Sequence, residues 1–170
     1  AMSGAGVRAC LGIAGVSRRA FTLLELIVVI VIIGVLTAAV VPRFASATDD
    51  ARTAATESIL ASVRASIASH RATAALTGAA PFPTHAQLIA EGTVMSSAIP
   101  ANPFSGVGGV ASVSSSAAAT SRQVSGTDAA GWNYFVDNSS TPPRAVFWAN
   151  SGAVTTASDG SGGWRSASDL

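Results

Sequence analysis

"RRAFTLLELIVVIVIIGVLTAAVVPRF", Arg18 to Phe44, is the stretch that decides the fold. From Phe21 to Val41 it is almost wholly apolar, and Glu25 is its one acidic residue. A run of about 20 such residues is the length at which a helix crosses a bilayer. A carboxylate at the centre of a spanning helix costs roughly 2.5 kcal/mol or more, and much less near the headgroups. Glu25 stands near the start of the run, where that cost is small. Its presence still calls for a partner.

The surrounding chain supports a membrane segment joined to a small domain. The protein has 170 residues, 49% of them hydrophobic, but the large aliphatic residues concentrate between Leu23 and Val41. The second half is rich in Ala, Ser, Gly and Thr, so one core of large side chains does not account for the mean hydropathy of +0.46. Arg8, Arg18 and Arg19 precede the run with no acidic residue among them. From Phe21 onward seven arginines face nine acidic residues. Basic residues before a span and a slightly acidic remainder place the N-terminus in the cytoplasm. The net charge of +1, with no lysine, gives no sign of nucleic-acid binding. Cys10 is the single cysteine, so an intramolecular disulfide and a cysteine metal cluster are both excluded. It reads as a passive residue of a leader.

Three readings fit residues 1–42. A secretory signal cut after Ala39 has the small residues it needs, but its apolar core is too long. A plain single-span anchor fits the length and gives Glu25 no role. The third reading places a cut before the run. The segment Ala20, Phe21, Thr22, Leu23, Leu24, Glu25, Leu26 resembles the N-terminus of type IV prepilins and type II secretion pseudopilins. The one departure is Ala20, where that family normally carries glycine. The resemblance implies cleavage between Ala20 and Phe21 by a membrane peptidase, methylation of the new Phe21 amine, and retention of the apolar run as anchor and polymerisation helix. It also implies that Glu25 meets the Phe21 amine of a neighbouring subunit. Two opposite charges buried together offset much of the desolvation either would suffer alone. The pair also fixes axial register between subunits.

Gly34 and Ala38 form a small-xxx-small pair that permits close helix approach in lipid. Pro42 falls where the apolar run ends; it bends or locally melts a helix, or simply marks the membrane boundary.

Beyond Arg43 the spacing of Phe44, Ala47, Ala51, Ala55, Ile59, Val63 and Ile67, with Leu60 beside them, predicts a continuing amphipathic helix to about Thr77. Gly78 and "AAPFPT" end it. "THAQLIAEG" predicts a second short helix with Thr84 as N-cap. "IPANPFSGVGG" reads as turns, and residues 105–121 as a flexible low-complexity loop. "GWNYFVD" and "RAVFWAN" predict a hairpin packed on the helix, and "SDGSGGWRSASDL" an irregular tail. The expected class is α+β and pilin-like: leader 1–20, transmembrane helix 21–42, amphipathic continuation 43–78, small head 79–170.

The "NPF" turn with "GWNY" and "FWANS" resembles the C-terminal region of major pseudopilins. That resemblance implies a calcium site in the C-terminal loop, with Asp159 and Asp169 as its available carboxylates, Ser161 and backbone carbonyls as further oxygen donors. A solvated tail is the favoured alternative. His70 and His85 have no second ligand at metal spacing, and no catalytic motif stands out. The reading is a non-enzymatic subunit of a type II secretion pseudopilus, or alternatively a type IV pilin or minor pilin. An anchored or secreted binding domain with a chance motif match is the reading from another class. Expected partners are further copies of itself, other pseudopilins, the prepilin peptidase and methyltransferase, an inner-membrane assembly platform and membrane lipid.

Overall fold

The computed structural model describes residues 21–125 and 129–170, so the expected leader lies outside the described residues. The chain is α+β and divides into two units between Val41 and Pro42. The first helix, α1, covers Leu23–Thr77. Its N-terminal section, in the first unit, is treated with the candidate site below.

In the second unit α1 ends at Gly78, whose φ of 70° is the left-handed turn that glycine adopts without a Cβ penalty. Ala79 N–H then donates to Ala74 O at 3.1 Å, closing a Schellman-type end. The residues that α1 buries here are Thr53, Thr56, Leu60, Val63, Ile67 and Ala74. This corrects the expected stripe. Ile59 is only half-buried, while Phe44 is 68% exposed and Ala47, Ala51 and Ala55 are also exposed. Threonine takes inward positions because its hydroxyl is satisfied within the helix: Thr53 Oγ1 donates to Asp49 O and Thr56 Oγ1 to Arg52 O, both at 2.9 Å. Thr53 Oγ1 also accepts from Thr156 N–H at 3.1 Å, tying the helix to the distant tail.

Helix α2, His85–Ile89, forms as expected behind Thr84, whose side chain and that of Gln87 make a reciprocal capping box. Strands β1 (Val110–Val113), β2 (Trp132–Asp137) and β3 (Arg144–Ala149) build one sheet in that order. The β2–β3 pair is the expected antiparallel hairpin, with Trp132 opposite Ala149 and Tyr134 opposite Phe147. Those four residues join Leu60, Val63, Ile67, Phe82 and Leu88 in the main core, where the Trp132 and Phe147 rings stack at 5.5 Å. A second, smaller cluster holds Phe135 and Trp148 with Ala119. Period-two alternation in β2 thus feeds two separate apolar clusters.

Two expectations are corrected. Residues 105–121 contain β1, paired in parallel with β2 from Val110↔Trp132 to Val113↔Phe135, and helix α3, Ser116–Thr120. Small residues suffice there: Ser115 caps α3, and the buried Ala119 packs beside Phe135 and Trp148. The tail is likewise ordered, as strands β4 (Val154–Ser158) and β5 (Trp164–Ser166) followed by a 3-10 turn, Ala167–Asp169. Its glycines, which read as irregularity, are the hairpin turn. Gly160 and Gly162 have φ of 83° and 93°, which glycine supplies without strain.

Candidate assembly and membrane site

Phe21 is 81% exposed at the head of α1, and Thr22 sets the helix start. Glu25 N–H donates to Thr22 Oγ1 at 3.1 Å and Leu26 N–H to Thr22 O at 3.2 Å, so Thr22 is the N-cap. Glu25 is therefore the third helical residue, in the first turn, where the unpaired N–H groups favour negative charge. The sequence reading missed the role of Thr22. The signal was present: a threonine three residues ahead of a glutamate, before an apolar run, is the spacing of a capping box.

Leu23–Val40 forms an 18-residue helical segment of mean hydropathy 3.0, long and apolar enough to cross a membrane. At 1.5 Å per residue it is about 27 Å long, close to the roughly 30 Å hydrocarbon core. None of it is buried within the chain. Its one hydroxyl, on Thr37, donates to Ile33 O at 2.7 Å and so presents no unmatched donor to lipid. Gly34 has no atom within 4 Å of where a Cβ would stand, and Ala38 is exposed one turn on. The surface there is open to a close neighbour. Helix α1 includes Pro42, where the two units divide. Ala20 lies outside the described residues; Phe21, Glu25 and Gly34 lie together in the first unit.

The carboxylates considered for calcium are each engaged locally. Asp159 Oδ1 accepts from Ser161 N–H at 2.7 Å and Gly163 N–H at 2.9 Å, closing the β4–β5 turn. Hydrogen bonds from Ser161, then from Gly163, hold its carboxyl below the usual carboxylate range. Asp169 Oδ2 accepts from Ser166 Oγ at 2.6 Å. Among the described residues no group of three or more His, Cys, Asp or Glu side chains is placed to hold a metal. Two carboxylates committed to separate turns do not fit the six to eight oxygens that calcium takes. Of the histidines, His85 Nε2 bonds Val110 O at 2.8 Å, while His70 Nδ1 is buried without a partner.

Comparison with known proteins bears on the N-terminal segment. Residues 16–41 match the family model described as the prokaryotic N-terminal methylation motif. Through this N-terminal motif the chain is similar to type IV prepilins and pseudopilins. It is 50% identical over 50 residues to the type IV narrow pilus major component PilA5 of Thermus thermophilus. That match covers 29% of this chain and 43% of the Thermus protein, so the chain spans less than half of that relative. No solved structure matches. Among the described residues one helix, near the N-terminus, is long and apolar enough to cross a membrane, which fits a membrane-anchored protein.

Proposed function

We propose that this chain is a prepilin-like structural subunit, cut between Ala20 and Phe21, methylated on Phe21, and polymerised through the Leu23–Val40 helix. The observation that carries this reading is an 18-residue apolar helical surface with no cover from its own chain. Its only charged side chain, Glu25, stands one turn from Phe21. Membrane lipid covers that surface while the subunit is stored, and neighbouring helices cover it in the filament. Glu25 then pairs with the Phe21 amine of the next subunit, since an offset would leave one charge buried and unpaired. The N-terminus lies on the cytoplasmic side and the head across the inner membrane, in the periplasm.

The filament proposed is a type IV pilus, in keeping with the name of the Thermus relative. A type II secretion pseudopilus is the second reading, favoured by the Asn102–Phe104 turn and the aromatic β2–β3 hairpin. Mass and N-terminal sequencing of the mature protein should give methylated Phe21; an uncut chain or a start near Val40 would overturn the proposal. Glu25→Gln should leave insertion intact and abolish filaments, and normal filaments would remove the pairing. Deleting the gene separates the two readings: loss of surface filaments with normal protein secretion supports the pilus, and the converse supports the pseudopilus.

A further inference from the structure

In the second unit a cleft of about 290 Å³ is lined by Arg64, Arg71 and Arg122 over an apolar floor that includes Ile67, Phe82 and Phe147. Filament assembly through the N-terminal helix makes no use of it. The three guanidiniums are positioned rather than loose. Arg64 donates to Leu170 O at 3.0 Å and to Phe147 O at 3.3 Å. Arg122 donates to Asp169 O at 2.7 Å, and the Arg71 guanidinium lies 5.0 Å from the centre of the Phe82 ring.

Phe147 O and Asp169 O are neutral peptide carbonyls, and the Phe82 ring is uncharged. Among the described residues the ion pair within 4.0 Å joins Arg52 to Asp49, and no Asp or Glu carboxylate pairs with any of the three cleft arginines. The Asp169 carboxylate is occupied by Ser166. Arg122 is also the one non-glycine residue with positive φ, 48°, among the described residues. It occupies the left-handed position after α3, where Gln123 N–H closes back to Ala118 O at 2.9 Å. Glycine ordinarily fills that position. A strained arginine that adds a third like charge to a cleft lined by no Asp or Glu side chain points to a ligand. Burial, and then the Arg122 charge, hold the Arg64 pKa below its usual value, which is the same repulsion seen from another side.

We propose that this cleft binds a small phosphate-bearing anion, its phosphate on the guanidiniums and its body against Phe82 and Phe147. A phosphate monoester carries close to two negative charges and three acceptor oxygens, which suits three arginines better than one carboxylate does. Guanidinium forks engage such oxygens bidentately. The volume is at the small end for ligand sites, enough for a phosphate and a body about the size of one sugar ring. The same group reaches the cleft from two sources, a soluble phosphate ester or a phosphatidic headgroup.

The test uses the full chain in uncharged detergent micelles, so it does not depend on filament formation. Inorganic phosphate is titrated against chloride of equal ionic strength, following the arginine side-chain N–H resonances. Saturable shifts of the Arg71 and Arg122 signals are expected. Arg71→Gln and Arg122→Gln should each weaken binding about ten-fold or more, and Arg165→Gln on β5 should leave it unchanged. Arg64→Gln also removes bonds to Phe147 and Leu170, and Arg122→Gln one to Asp169, so Arg71→Gln decides the outcome. Doping the micelles with phosphatidic acid distinguishes the sources: suppressed phosphate binding assigns the lipid headgroup, and unchanged binding the soluble ester. Shifts that chloride reproduces, or equal weakening by Arg165→Gln, would overturn the site.

Discussion

Thr22 and Glu25 close the first turn of α1 through one bond, Glu25 N–H to Thr22 Oγ1 at 3.1 Å. The cap fixes the backbone that carries Glu25, and so fixes the height of its carboxylate relative to Phe21. Losing an N-cap costs about 1 kcal/mol. Thr22→Ala should therefore raise hydrogen exchange at the Glu25 amide about five-fold in micelles, while Thr22→Ser keeps it. Filament yield should follow the same order. Equal exchange in both variants would show that the cap does not hold this turn.

Asn102 and Gly131 form a second fixed pair, inside the head. Asn102 is fully buried; its Nδ2 donates to Gly131 O at 2.8 Å and its Oδ1 accepts from Phe104 N–H at 2.9 Å. A Cβ at Gly131 would stand 2.0 Å from Val107 O, a backbone atom that cannot step aside cheaply. Asn102→Ala leaves Phe104 N–H without its acceptor, while Gly131 O keeps Asn150 N–H, and should cost about 2 kcal/mol. Gly131→Ala should be at least as damaging, through the clash. Thermal unfolding in micelles measures both, and a Gly131→Ala protein with parental Tm would contradict the close approach.

Legibility in the sequence followed the kind of signal each element carries. The apolar run, the helix end at Gly78 and the β2–β3 hairpin were legible because long periodic patterns and aromatic alternation are local. β1 was not. Its residues, Val110-Ala-Ser-Val113, acquire strand structure from parallel pairing with β2 across the chain, and Ser-Ala composition hides that pairing. The tail hairpin was hidden similarly, since Asp159, Gly160 and Gly162 are turn residues that read as irregular structure. At the candidate site the motif singles out Phe21 and Glu25 as expectations, while the capping role of Thr22 comes from the structure. The arginine cleft draws on α1, the α3 end and β3, and nothing in sequence spacing brings those together.

The helix stripe shows where composition misled, and it yields a paired test. Thr56 is fully buried and, among the described residues, its hydroxyl bonds within α1, to Arg52 O, whereas Thr53 also accepts from Thr156 N–H. Valine keeps the shape of either side chain and removes the hydroxyl. Thr56→Val loses a local bond that leaves the helix carbonyl with its own partner, and should be near neutral. Thr53→Val leaves Thr156 N–H without an acceptor, and should cost about 1 kcal/mol more. Denaturant unfolding of the two variants side by side reads the difference; equal effects would mean that the Thr53–Thr156 link does not contribute.

The Asp159 turn makes acid sensitivity predictable in sign. Hydrogen bonds from Ser161 and Gly163 favour its charged form, so its folded pKa lies below the ordinary value. A group depressed in the folded state adds stability that is fully present above its unfolded pKa, about 4, and that is lost as pH falls through the folded value. Asp137 behaves in the same direction, through Ser139 first and then Ser140. Asp159→Asn keeps a neutral acceptor in the turn but has no charge to titrate. The variant should therefore unfold at lower temperature than the parent at pH 7, and the two should converge as pH drops below about 4. Residual acid sensitivity in the variant should fall again in Asp137→Asn, Asp159→Asn. Parallel profiles from pH 7 downward would show that the carboxylate charge at this turn does not stabilise the hairpin.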